Sequence, residues 1–166
     1  MVFLEASTEY GFVDFIKNKD ELEDCVERMV GHMEMLAQRS MEAKKGEKIR
    51  VKILESDRDS NLTSRRAVIM MLERRMFHRM AAGDAANQTP ALDGYIRHLL
   101  ELARVDRDAA GLGLAYWEFA MRQAVEHVNV YPTKSHKFHH TPHRRWFGAD
   151  KSVEDWRTFG AECFPM

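Results

Sequence analysis

A run of arginines between Ser64 and Arg79 is the part of the sequence whose residue types and spacing could do chemistry. On a helix, with about 100° between successive residues, Arg65, Arg75 and Arg79 fall within an arc of about 80°. A guanidinium group can bond two phosphate oxygens, so one flank of such a helix could meet a phosphate backbone. The same pattern is also typical of a solvated arginine face on which Glu73 pairs locally. Spacing alone leaves both interpretations open.

Residues 134–147 form a second segment of interest, which has no acidic residue and combines four Lys or Arg with four His and three aromatic side chains. This mixture is typical of an arm that lies on RNA or on an acidic protein surface, and a mobile tail is the alternative. The candidate RNA contacts are Lys134, Lys137, Arg144 and Arg145. The histidines are His136, His139, His140 and His143. No cysteine or carboxylate cluster accompanies them, so we expect no metal site.

The sequence contains no recognisable catalytic motif. It lacks GxGxxG, a phosphate loop, HExxH, GxSxG and a cysteine–histidine pairing. Two pairs of acids lie where helix capping explains them: Asp57 with Asp59, and Asp106 with Asp108. We therefore expect neither an enzyme nor a cofactor.

The charge is unevenly distributed along the 166 residues, although the net charge is only −1. Residues 1–42 hold ten acids and four bases, and the remainder holds sixteen acids and twenty-one bases. A phosphate binder needs only a local basic face, so a nucleic-acid partner stays possible. The longest apolar run, Ala67–Leu72, is far shorter than the roughly 20 residues that span a bilayer, so we expect a soluble protein without a membrane partner.

Apolar residues at three- and four-residue steps predict several amphipathic helices. The predicted helices cover Asp20–Glu42, Leu62–Ala82, a stretch that begins at Thr89-Pro90, and Gly113–Val128. A last short helix is predicted from Ser152 and carries Trp156 and Phe159. Between the first two helices, Lys48–Leu54 alternates apolar and basic residues, which predicts an extended segment that is basic on one side. Pro132–Phe147 has no regular period and is predicted to be an arm.

Three motifs follow one another along the chain: Ser64-Arg65-Arg66 with an apolar continuation, Arg74-Arg75, and Tyr95 at the start of a Leu-rich helix. This order resembles the small-subunit ribosomal protein fifteen family of bacterial and organellar type. Residues 26–33 (V-E-R-M-V-G-H-M) resemble that family's first hairpin helix. The resemblance covers about Leu22–Leu102. The chain departs from the family pattern at Asn61-Leu62-Thr63, where the family has an acidic residue and two histidines, and in a hairpin loop lengthened by Lys44–Ser56.

The resemblance implies an all-α fold, an antiparallel helical hairpin or bundle, that binds a helical junction of small-subunit rRNA and supports assembly of the platform. Neighbouring ribosomal proteins and the large subunit are the further partners that it implies. The RNA contacts carried over from the family are His32, Ser64, Arg65, Arg66, Arg74, Arg75 and Tyr95. The near-neutral charge suits a protein-rich mitochondrial ribosome better than one of the plastid or the cytoplasm.

These observations predict three regions. They are an N-terminal segment (1–19), a helical RNA-binding domain (20–105) with an insertion at 44–56, and a C-terminal extension (106–166) with the extended basic arm and the short helix. The alternative function is a helical accessory subunit of another organellar complex, in which the arginine face is only solvated. A helical enzyme, or a haem or metal binder that uses the histidines, is the third hypothesis.

Overall fold

Strands as well as helices occur along the chain. The computed structural model describes residues 1–40, 48–56, 60–80, 90–132, 140–154 and 156–161, and within these ranges it contains five α-helices and four β-strands. The chain divides into two compact units. Unit 1 consists of Met1 with Asp14–Pro90, and unit 2 consists of Val2–Val13 with Ala91–Met166.

Unit 1 contains the long amphipathic helix α1 (Leu22–Arg39). Its apolar residues recur at three- and four-residue steps, so they line one face, and that face is buried. The buried residues are Leu22, Cys25, Val26, Met29, Val30 and Met33. The helix predicted over Asp20–Glu42 is confirmed for the span of α1.

The rest of unit 1 is built around a strand–helix–strand unit. β3 (Ile53–Ser56) is followed by α2 (Arg65–Glu73) and then by β4 (Phe77–Met80). The two strands are parallel, with Ile53 opposite Phe77. Parallel neighbours require a crossover connection, and the segment that contains α2 supplies it.

The prediction of one helix over Leu62–Ala82 is wrong, because α2 ends at Glu73 and the chain continues as a strand. Arg75 has a φ of 54°, in the left-handed region that an α-helix cannot contain. The Phe77 amide then donates to the Lys52 carbonyl at 2.7 Å, which begins the pairing with the preceding strand. Apolar spacing in this segment is compatible with either structure, and pairing with a distant segment decides between them.

Unit 2 contains an antiparallel pair of strands and most of the remaining helical structure. β1 (Val2–Leu4) pairs with β2 (Gly11–Val13), and the helices are α3 (Pro90–Ala109), α4 (Trp117–Val130) and α5 (Pro142–Phe147). α4 packs against β2 and α5. Small residues supply much of the buried surface of α3 and α4, which lets their neighbours approach closely. The buried apolar residues of these two helices are Leu99, Ala103, Ala120, Met121, Ala124 and Val125.

The prediction of an all-α antiparallel helical bundle is therefore wrong, and the fold is α/β with two small sheets. The strand–helix–strand unit takes the place of the second long helix of the predicted bundle. The N-terminal segment 1–19 contains β1 and β2, which are three residues each and carry too few residues to show a recognisable alternation.

The C-terminal region also differs from its prediction. The arm predicted over Pro132–Phe147 contains α5, which Thr141 caps by accepting the Arg144 amide at 2.9 Å. Gly148 ends α5 with a φ of 76°, a conformation that favours glycine. No helix follows in residues 151–154 and 156–161, so the short helix predicted from Ser152 is wrong for that part of the chain. Among the helices that the structure describes, none has both the length and the apolar character needed to cross a membrane.

Candidate nucleic-acid interface

Three basic residues of unit 1, Lys48, Arg50 and Lys52, form what we call the cationic row. All three are exposed, whereas Ile49 and Val51 between them are partly buried. This exposure pattern confirms the prediction of an extended segment that is basic on one side. In an extended chain, residues two apart lie on the same side and are separated by roughly 6.6 Å.

The backbone of the cationic row is held in place by α1. The amide of Ile49 donates to Oε1 of Gln38 at 3.1 Å, and the amide of Val51 donates to Oε1 of Glu34 at 3.0 Å. These two amides therefore bond to one glutamine and one glutamate side chain of α1 rather than to a neighbouring strand. The cationic side chains are left on the outer side of the segment.

The cationic row lacks acidic partners. Across the part of the chain that the structure describes, no Asp or Glu side chain forms an ion pair with any of its three members. The same holds for Arg65, at the start of α2, and for Arg75, before β4, and both are exposed. Unit 1 thus presents five exposed cations whose charge no described carboxylate neutralises locally.

The remaining arginines of the predicted RNA-binding helix are paired with acids of unit 1. The pairs join Arg66 to Glu23 and Asp24, Arg74 to Glu27 and Glu34, and Arg79 to Glu55. Four of these five acids lie on α1. The acidic front of the sequence therefore supplies partners for part of the basic segment, which accounts for the uneven charge along the chain.

The two other predicted contacts in unit 1 lie on helices. Ser64 is the N-cap of α2, because its Oγ accepts from the Ala67 amide at 3.0 Å, and its hydroxyl also donates to Glu23. This is the ordinary structural use of serine before a helix. His32 lies on the exposed side of α1.

In unit 2, two of the four predicted arm contacts, Arg144 and Arg145, have structural partners. Arg144 pairs with Asp150 at 2.8 Å. Arg145 pairs with Glu9 at 3.2 Å and donates to the Ser7 carbonyl, and its side chain is only 16% exposed. Arg145 therefore fastens α5 to the turn between β1 and β2. The other two predicted contacts, Lys134 and Lys137, lie outside the described residues.

Tyr95 packs inside unit 2. Its hydroxyl is buried and has no hydrogen-bond partner among the described residues. That oxygen lies so close to Gly11 that a Cβ there would be 1.7 Å away. Burial raises the pKa of Tyr95 well above its ordinary value, and the nearby Tyr10 and then Glu126 raise it further. The packing explains why a glycine is required at position 11.

The turn after β1 holds a well-bonded carboxylate. Glu5 accepts from the Thr8 amide at 2.7 Å and from the Thr8 hydroxyl at 2.6 Å, and Ser7 donates to it through its amide and its hydroxyl. Burial alone would raise the pKa of Glu5, but the hydrogen bonds from Thr8 and Ser7 outweigh it and lower the pKa. Glu5 is therefore ionised and already satisfied by its neighbours.

The histidines of the arm are only partly described, since His136 and His139 lie outside the described residues. His143 Nδ1 is 2.9 Å from the carbonyl of Ala149, and its ring packs against Phe147. In the ranges that the structure describes, no three or more His, Cys, Asp or Glu side chains are grouped to hold a metal ion.

Sequence reasoning did not name the cationic row as a site, although its alternation was visible. The missing information was which arginines and lysines have acidic partners. That depends on contacts such as Arg66 with Asp24, which are 42 residues apart in the sequence.

The fold is similar to that of a retroviral-type enzyme domain. No family model and no curated protein matches the chain. Among solved structures, the catalytic core domain of BIV integrase matches with a TM-score of 0.61 and 14% sequence identity. The match covers 89% of this chain and 84% of the integrase domain.

The resemblance to ribosomal protein fifteen is therefore wrong, and so are the descriptions as a ribosomal protein and as part of the small subunit that followed from it. The short motifs that suggested it have other roles here. Ser64 caps α2, while Arg66 and Arg74 pair with acids of α1. The chain has an integrase-like fold, one that is also found in an enzyme domain.

Proposed function

We propose that this chain is an integrase-like domain that binds nucleic acid, with the cationic row as its contact to the phosphate backbone. The observation that carries the proposal is the contrast within unit 1. Lys48, Arg50 and Lys52 are exposed and have no acidic partner among the described residues, whereas Arg66 and Arg79 are paired. A cation already paired with a carboxylate gains less from a phosphate than an unpaired one does.

The spacing of the row also fits a phosphate backbone. Its members repeat every second residue of an extended chain, a separation of roughly 6.6 Å that is of the same order as the distance between successive phosphates of one strand. α1 fixes the backbone of the row through Gln38 and Glu34. Binding then orders only the ends of three side chains, which lowers its entropic cost.

The fold agrees with this proposal. The solved domain that it resembles is named an integrase, and we carry that class over to this chain as part of the proposal. Phosphate contacts give affinity without reading sequence, so we expect binding of DNA and RNA of any sequence and a strong dependence on salt.

The test is a titration of the full chain against labelled DNA and RNA over a series of salt concentrations, read by fluorescence anisotropy. The test variant combines Lys48→Gln, Arg50→Gln and Lys52→Gln. The matched control removes the same charge from paired, exposed arginines by Arg66→Gln, Arg79→Gln and Arg144→Gln.

We expect the row variant to bind more weakly, with the slope of log affinity against log salt reduced by about two to three. The control is expected to change the slope by less than about one. Equal losses in the two variants would show that only net charge matters and would contradict the proposed contact. Absence of binding by the unmodified chain would contradict the function itself.

A second candidate function is catalysis on the bound strand, which the likeness to a catalytic core domain favours. Cutting and joining of phosphodiesters commonly uses divalent cations held by carboxylates. In unit 2, Glu5 is an ionised carboxylate directly after β1. Its oxygens accept from Ser7 and Thr8, so a cation would have to displace these donors.

Incubation of the chain with end-labelled DNA and Mg²⁺ or Mn²⁺ tests this candidate. Cut or joined products that disappear with Glu5→Gln would establish catalysis and the need for this carboxylate. If the chain binds DNA but forms no product, binding is the function that remains.

A further inference from the structure

Phe77 is a large apolar side chain that the fold leaves in solvent. It is 78% exposed, and its register partner on β3, Ile53, is 50% exposed. Paired residues of neighbouring strands lie on the same face of a sheet, so the two side chains form one apolar patch. The ring of Phe77 is therefore accessible to a partner.

The surroundings of this patch are cationic. Lys52, the last member of the cationic row, precedes Ile53, and its carbonyl accepts from the Phe77 amide at 2.7 Å. Arg75 lies two residues before Phe77, is exposed and has no acidic partner among the described residues. Farther along the same two strands, the Arg79–Glu55 ion pair ends the apolar patch. Lys52 and Ile53 are consecutive in an extended segment, so their side chains lie on opposite faces, and Arg75 is the unneutralised cation next to the ring along the chain.

We infer that Phe77, with Ile53 beside it, is a stacking platform for an unpaired base of a single-stranded nucleic acid. This inference rests on the proposed function and names its substrate class. A phosphate that flanks the stacked base would lie on Arg75, which is exposed and two residues before the ring. Single-strand binding commonly combines a basic track with aromatic rings on which bases stack, and both are present here.

A duplex fits this surface less well than a single strand. In a duplex the base faces are already stacked on one another, so a ring on a protein surface cannot reach them without unpairing. A protein partner would have to supply acidic groups beside an apolar contact, whereas a single nucleic-acid strand carries a phosphate next to every base. The positive charge of Arg75 beside the ring is complementary to phosphate, and it favours the nucleic acid.

The test compares single-stranded and duplex DNA of equal length, with Phe77→Leu and Phe77→Trp in the full chain. Leucine keeps an apolar side chain and removes the ring, and tryptophan keeps a ring. We expect Phe77→Leu to weaken single-strand binding by about fivefold to a hundredfold and to leave duplex binding nearly unchanged. Phe77→Trp is expected to retain single-strand affinity, and its indole fluorescence is expected to fall when an oligothymidine binds.

The outcomes separate this inference from the proposed function. If Phe77→Leu has no effect while the row variant loses affinity, the platform is wrong and the phosphate contact stands. Equal losses for single strands and duplexes would also overturn the platform. If Phe77→Leu instead converts an oligomer to a monomer in sedimentation, the patch is a contact between copies of the chain. Unfolding curves of both variants are expected to match the unmodified chain, because the side chain is exposed.

Discussion

The side chain of Asn129 binds both polar groups of the Gly11 backbone. Its Oδ1 accepts from the Gly11 amide at 2.8 Å, and its Nδ2 donates to the Gly11 carbonyl at 2.9 Å. Asn129 lies on α4 and is 1% exposed. It therefore supplies to β2 the two hydrogen bonds that a neighbouring strand would otherwise make, and it fixes α4 against the hairpin of unit 2.

Replacement of Asn129 by alanine is expected to destabilise the protein. The substitution leaves an amide and a carbonyl of Gly11 buried without partners, which costs about 3 kcal/mol in the free energy of unfolding. Urea denaturation followed by circular dichroism measures this change. Glu118→Ala, on the exposed side of the same helix, serves as the control and is expected to change the stability by less than about 0.5 kcal/mol. Equal stabilities of the two variants would contradict the role of Asn129.

Two glycines of unit 2 are expected to respond in opposite directions to alanine. At Gly11 a Cβ would lie 1.7 Å from the Tyr95 hydroxyl oxygen, so Gly11→Ala must displace the Tyr95 ring and is expected to lower the melting temperature. At Gly94, inside α3, a Cβ would meet nothing within 4 Å. Gly94→Ala is expected to stabilise by about 0.5–1 kcal/mol, because alanine favours a helix over glycine. Thermal unfolding of both variants checks the pair, and a stabilising Gly11→Ala would show that Tyr95 moves freely.

Periodicity predicted those elements that are long enough to show it. α1 and α3 contain 18 and 20 residues, and their apolar stripes identify them from the sequence. The strands contain three or four residues each, too few to separate alternation from chance. β4 lies in a stretch whose apolar spacing also fits a helix, and only its pairing with β3 decides its structure.

The sequence predicts which residue types form the candidate interface, but it does not predict which of its basic residues form ion pairs. The alternation of Lys48, Arg50 and Lys52 is visible in the sequence, as is the arginine segment that follows it. Arg74 and Glu34 are 40 residues apart, so the sequence does not reveal that this arginine is paired. Nor does it reveal that Asn129 bonds Gly11, 118 residues away.

The acid stability of unit 2 is expected to depend on Glu5. Hydrogen bonds from Thr8 and Ser7 outweigh the effect of burial and lower the pKa of Glu5 from its ordinary value of 4.5. The carboxylate therefore contributes stability that is fully present above pH 4.5 and is lost as the pH falls through the folded-state pKa. Thr8→Val removes the hydroxyl donor at 2.6 Å and is expected to reduce that pH-dependent contribution.

The measurement for Thr8→Val is the free energy of unfolding of both proteins as a function of pH. We expect a shallower loss of stability below pH 4.5 in the variant, because less of its stability depends on the ionised Glu5. Thr158→Val, at an exposed threonine of unit 2, is the control for the same exchange of a hydroxyl for a methyl group away from Glu5. Parallel pH curves for Thr8→Val and the unmodified chain would contradict the assignment of these donors.

The ion pair between Arg66 and Asp24 is expected to be weak and sensitive to salt. Both side chains are well exposed, at 66% and 47%, so solvent screens their attraction. A double-mutant cycle with Arg66→Ala and Asp24→Ala is expected to give a coupling energy of about 0.2–1 kcal/mol that falls in high salt. A coupling several times larger would mean that the pair is desolvated, and would make Arg66 a structural residue rather than a surface one.

A substitution at Arg145 tests whether this arginine stabilises the fold or contacts phosphate. Its guanidinium joins α5 to the turn between β1 and β2 through Glu9 and the Ser7 carbonyl, and the side chain is 16% exposed. Lysine keeps the charge but cannot make both contacts with one planar group. Arg145→Lys is therefore expected to lower the free energy of unfolding by about 1–2 kcal/mol while nucleic-acid affinity and its salt slope stay unchanged.

Arg144→Lys, at the exposed neighbour, is the control, and we expect it to leave the stability within about 0.5 kcal/mol. A loss of affinity without a loss of stability in Arg145→Lys would instead make this arginine a phosphate contact, as the sequence alone predicts.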